Sequence, residues 1–106
     1  MEIYKQNYRL DKSKIHGIGV YSNKKFKKGD IIGIGIIFKL YFIPIITDDF
    51  GIWLNHSYDP NSYLYYCPVE NIYYIIAKVN IPNDTEITMN YRDTPWYIKK
   101  PEVYFK

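Results

Sequence analysis

The sequence holds one cysteine, Cys67, and two histidines, His16 and His56. A lone thiol closes no internal disulfide and builds no cysteine-rich zinc site, and two imidazoles are too few to hold a metal. A reducing, intracellular setting is therefore the natural expectation. Arginine is equally scarce: Arg9 and Arg92 are the only two, so the net charge of +3 rests on lysine. Proteins that read nucleic acid use arginine for phosphates and base edges, so direct nucleic-acid binding is not expected. Lys24, Lys25, Lys27 and Lys28 do cluster before Gly29-Asp30. A solvated turn is the simpler reading of that run, and a phosphate-binding patch is the alternative. No stretch approaches the ~20 apolar residues of a membrane-spanning helix. The first ten residues carry charges and no apolar core of a secretory signal, so neither membrane insertion nor export is expected. With no repeat and no low-complexity linker, 106 residues give one domain over 1–106.

What is abundant is aromatic. Phe, Trp and Tyr make up 19% of the chain, and 13 residues are tyrosine, whose ring packs while its hydroxyl still bonds when buried. Apolar residues come in short runs separated by Gly, Pro, Asn and Asp, and no window keeps a helical period through three turns. A mainly β protein with several short sheets and little helix is predicted. Strands are expected over residues 3–10, 20–22, 63–67, 72–79 and 86–91, the third and fourth forming a hairpin. Residues 31–46 read as two short strands, because Gly33 and Gly35 inside the apolar run suggest bends or bulges. A single helical turn is expected around 48–51 and a polar loop over 55–62. The last segment, 92–106, contains Pro95, Trp96, Tyr97, Tyr104 and Phe105, and is expected to pack back as a closing segment.

Three stretches carry chemistry. Gly17-Ile18-Gly19-Val20-Tyr21 precedes Lys27-Lys28-Gly29-Asp30-Ile31-Ile32. Asn55-His56-Ser57-Tyr58-Asp59-Pro60-Asn61-Ser62 follows, and Glu86-Ile87-Thr88-Met89-Asn90-Tyr91 comes last. In this order, across residues 13–91, they resemble the SET-domain family: the opening GxG-V-Y and "kGd-I" turn, the N-H-S-x-x-P-N signature, and the E-[IL]-T-x-x-Y strand. Glycine removes side chains where a backbone must approach a ligand closely, although a plain tight turn also accounts for Gly17 and Gly19.

The resemblance implies a SET (β-clip) fold whose C-terminal strand passes under the preceding loop in a pseudoknot. It further implies a protein-lysine N-methyltransferase that uses S-adenosylmethionine. Gly17, Ile18 and Gly19 would meet the methionine part of that cofactor, with Asn55 offering its amide and the backbone of His56 facing the adenine. Tyr91 would be the catalytic residue and also border the cofactor, its hydroxyl holding the amine in line with the methyl. Trp96, in an ending similar to that of small stand-alone viral and bacterial members, would stack on the adenine or pack in the core. Met89, two residues before Tyr91 and so on the same strand face, would line the lysine channel, with Tyr58 or Tyr63 as a further candidate that stands at no defining motif position. No metal is called for.

The protein substrate implied is a lysine-bearing chain such as a histone H3 tail, which for a viral or microbial protein would put it in a host nucleus. Three departures bear on this. The insert that usually forms one wall of the substrate groove has no room between Phe38 and Trp53, Arg92 stands where glycine usually follows the active-site tyrosine, and the cysteine-rich closing segment is missing. A homodimer could complete the missing wall. The alternative from another class is a catalytically inactive SET-like module that binds protein.

Overall fold

The computed structural model describes residues 2–47 and 50–90. Tyr91, Trp96 and the closing segment 92–106 lie outside the described residues, as do Asp48 and Asp49. Among the described residues eight strands run β1 (Tyr8–Lys12), β2 (Ile18–Ser22), β3 (Ile31–Lys39), β4 (Ile43–Ile46), β5 (Asn55–His56), β6 (Ser62–Cys67), β7 (Ile72–Ala77) and β8 (Glu86–Met89). They form two four-stranded sheets, ordered β1-β2-β8-β5 and β4-β3-β7-β6. Helical structure among the described residues amounts to two stretches of 3-10 turn, Glu2–Asn7 and Gly51–Trp53.

The main core lies between the sheets. Val20 and Ile87 from the first meet Ile32 and Ile75 from the second, and Phe50 and Leu54 fill the space between, all buried. Strand β7 is apolar at nearly every position because both its faces are covered. Ile75 joins the main core, while Tyr74 and Ile76, on the other face, join a smaller cluster with Ile34.

Residues 3–7 depart from the predicted first strand and form 3-10 turns instead. Tertiary partners draw them off the line of β1: Asn7 Nδ2 donates to Ile32 O at 3.1 Å, and the Tyr4 ring stands edge-on to Tyr74. The 31–46 run does divide into two strands, and its glycines do mark irregularities, since the β3–β7 register shifts between Ile31 and Gly33 and again between Ile34 and Ile36. The break itself falls at Leu40 and Tyr41, with φ of +52° and +69°. Two successive positive φ angles make a tight hairpin turn, a geometry usually signalled by Asn-Gly. The predicted 63–67/72–79 hairpin is β6–β7, paired in register from Ser62↔Ala77 to Cys67↔Ile72.

The 55–62 segment is more ordered than a polar loop. Asn55 and His56 pair in parallel with Thr88 and Met89, and Ser57 N donates to Met89 O at 3.0 Å. Asn61 and Ser62 then bond the backbone of Glu86 and Thr88. Successive residues of a strand direct their backbone groups to alternate edges, so the segment holds β8 by both edges and crosses over it. This is the arrangement expected of a C-terminal strand beneath the preceding loop, as far as Asn90.

Candidate functional site

Ser13 sets the first half of the site. Its backbone N–H closes a turn on Gly17 O at 2.8 Å, and its hydroxyl accepts from the N–H groups of Ile15 and His16 at 2.9 and 3.2 Å. Such hydroxyl-to-backbone bonds fix a turn without regular structure. Gly17 sits in the left-handed region at φ +48° with open space around a would-be Cβ, so there the backbone conformation itself calls for glycine.

Gly19 is glycine for a different reason. A Cβ built on it would overlap the Glu86 carboxylate oxygen Oε2 and stand 3.1 Å from Asn55 Nδ2. The space on the side-chain side of this residue is taken by side chains of the protein. Asn55 is likewise turned inward. Its Nδ2 donates to Ser13 Oγ and Glu86 Oε2, each at 2.9 Å, and to His16 O at 3.1 Å. Each of these partners is an acceptor, as is Ile18 O at 3.4 Å, so the protons of this nitrogen are shared within the protein.

The second half is the start of the crossing segment. His56 is buried, and its ring meets the half-exposed Tyr58 ring edge-on, centroids 4.4 Å apart. Between the halves lies a cavity of about 360 Å³, lined by Lys14 and Ile15 on one side and His56, Ser57 and Tyr58 on the other. That volume falls within the usual range for small-molecule sites, roughly 300–1,000 Å³. Its lining carries the Lys14 ammonium, the Ser57 and Tyr58 hydroxyls and the edge-on His56–Tyr58 ring pair.

The structure therefore brings Gly17, Ile18, Gly19, Asn55, His56 and Tyr58 into one region. Met89 is opposite His56 in the β5–β8 register, but its side chain belongs to the main core. Asn90, the residue before Tyr91, ends the described stretch. Ser13, Lys14, Ser57 and Glu86 were not singled out from the sequence. Glu86 was visible there as the first letter of its motif, yet nothing local says that its carboxylate returns to residue 13.

Across β2 and β8, Tyr21 pairs with Glu86 and donates its hydroxyl to Lys12 O at 3.0 Å. Its pKa is held above the ordinary tyrosine value, first by burial and then by the Glu86 charge.

In comparison with known proteins, residues 41–92 match the family model of the SET domain. The fold is similar to the crystal structure of a candidate histone methyltransferase from Plasmodium falciparum, with a TM-score of 0.67 and 24% identity over 88% of this chain and 98% of that one. A search of curated protein sequences finds no match.

Proposed function

We propose, from the SET-domain match over residues 41–92 and the similarity of fold, that the chain transfers a methyl group from S-adenosylmethionine to a lysine side chain of another protein. The observation that carries this reading is the convergence of the Ser13–Gly19 turn and the 55–58 segment on one cavity, beside the strand that leads to Tyr91. Backbone of Gly17 to Gly19 and of His56, with Lys14, Ser57 and Tyr58, would hold the cofactor. When bound, it supplies an electrophilic methyl on a sulfonium.

The protein's own task is then to present a neutral amine. A free lysine has a pKa of about 10.4, so the neutral form costs roughly 4 kcal/mol at pH 7.4. Apolar and tyrosine-rich walls disfavour the ammonium and lower that cost, and in-line positioning contributes much of the remaining acceleration. Tyr91 is assigned on the motif to hold the amine, Met89 by its place two residues earlier on the strand to border its path, and Trp96 by the similar ending to cover the adenine. The Plasmodium falciparum neighbour makes histones the first substrates to try, with H3, the one the family resemblance implies, at their head.

A non-catalytic protein-binding module is the second reading, favoured by the exposed Leu40, Tyr41 and Phe42 at the β3–β4 tip, where no substrate wall is inserted. Calorimetry with S-adenosylmethionine and methyl transfer to histone H3 and to total cell protein separate the two. The enzyme reading expects binding and transfer, with transfer lost in Tyr91→Phe while cofactor affinity stays. Equal transfer by Tyr91→Phe would remove the role given to that tyrosine, absence of cofactor binding would reject the enzyme, and binding without transfer on any protein would favour the module.

A further inference from the structure

The turn on one side of the cavity is held from beneath by a residue remote from it in sequence. Glu86 opens β8 and directs its carboxylate to Ser13, where Oε2 accepts from Ser13 Oγ at 2.7 Å and from Asn55 Nδ2 at 2.9 Å. Because the Ser13 proton goes to Glu86, the oxygen's two lone pairs are left to be shared by Ile15 N, His16 N and Asn55 Nδ2. A carboxylate oxygen can only accept, so it fixes the direction of every bond in this group. The same oxygen occupies the place of the missing Gly19 Cβ. One atom thus ties the turn, the crossing segment and β8 together.

We propose that Glu86 is a positioning residue for the cofactor site, setting the separation of the Ser13–Gly19 turn from Asn55, and that Gly19 is glycine in order to admit the Glu86 carboxylate. The ligand in this proposal rests on the cofactor reading above; the steric relation of Gly19 to Glu86 does not.

A double-mutant cycle tests it, with Gly19→Ala, Glu86→Ala, the pair together, and Glu86→Gln as the conservative variant. S-adenosylmethionine affinity is measured well below the melting temperature of each variant, and thermal unfolding is followed without ligand. Glu86→Ala is expected to weaken binding about tenfold in protein that is still folded, as loss of bonds to a charged acceptor implies. Glu86→Gln, which keeps one acceptor oxygen, should recover most of that loss. Gly19→Ala should lower both affinity and melting temperature in the native background and change neither further when Glu86 is Ala.

An undiminished Gly19→Ala effect in the Glu86→Ala background would overturn the assignment, since the space would then belong to the ligand. Unchanged affinity in Glu86→Ala would overturn the positioning role. Failure of the unmutated protein to bind would instead reject the cofactor reading, and with it Glu86's role in binding, while the unfolding cycle would still decide the Gly19–Glu86 relation.

Discussion

Asn61 treats Thr88 as a neighbouring strand would. Its Oδ1 accepts from Thr88 N at 2.9 Å while its Nδ2 donates to Glu86 O at 2.8 Å, and Ser62 Oγ completes the same edge by donating to Thr88 O at 2.5 Å. A side-chain amide has the donor and acceptor of a peptide group, so one residue replaces a strand on the edge of β8. Replacing Asn61 by Ala leaves both backbone groups of β8 without this partner. A loss of about 2 kcal/mol is expected, at roughly 1 kcal/mol for each bond. Urea denaturation of Asn61→Ala against the parent chain measures it, and a change below a few tenths would show that water substitutes for the amide.

Phe50 should be among the most sensitive positions for stability. It is fully buried, its ring stacks on Tyr8 at 4.3 Å, and a Cβ on Gly33 would come within 2.8 Å of its Cε2. Phe50→Ala is expected to cost about 3–5 kcal/mol. Gly33→Ala should cost about 1–3 kcal/mol by overpacking against the same ring, and in a Phe50→Leu background, where the ring edge is gone, that second penalty should shrink.

The alkaline limb of stability should report Tyr74. Its hydroxyl donates to Glu70 Oε1 at 2.5 Å, and that bond, with burial second, raises the phenol's pKa well above the ordinary value near 10. In the unfolded chain the phenol ionises near 10, while in the folded chain it keeps its proton to higher pH. The contribution is therefore complete below about pH 10 and is lost as pH rises from there through the folded value. Tyr74→Phe should lower stability by about 1 kcal/mol at pH 8, and the gap between variant and parent should narrow above pH 10 in denaturant titrations.

Tyr58 is expected to matter for ligand more than for folding. It is half exposed, yet it lines the cavity and meets the His56 ring edge-on. Tyr58→Ala should weaken S-adenosylmethionine binding by about three- to tenfold, as loss of an aromatic contact of about 0.5–1.5 kcal/mol implies, with little change in melting temperature. Loss of stability without loss of affinity would reassign the residue to packing.

Much of this protein is legible without coordinates because its signals are local. Short β-branched runs punctuated by Gly, Pro and Asn specify strands through pleat geometry alone, and three ordered motifs located the region where Gly17, Asn55 and His56 meet. Contacts that close only when the chain returns on itself are a different matter. Nothing near residue 40 announces a turn through Leu40 and Tyr41, because the sheet imposes those angles against side-chain preference. Nor could Gly19 be explained before Glu86 was seen beside it, 67 positions later in the chain. Ser13 and Glu86 are 73 residues apart, and Asn55 lies 31 from Glu86. Pattern and propensity therefore decided the class of fold, and the family resemblance pointed to the candidate site. Which carboxylate braces the turn, which amide closes the edge of β8 and why one glycine has no alternative were decided by tertiary packing, since each depends on two atoms competing for one volume.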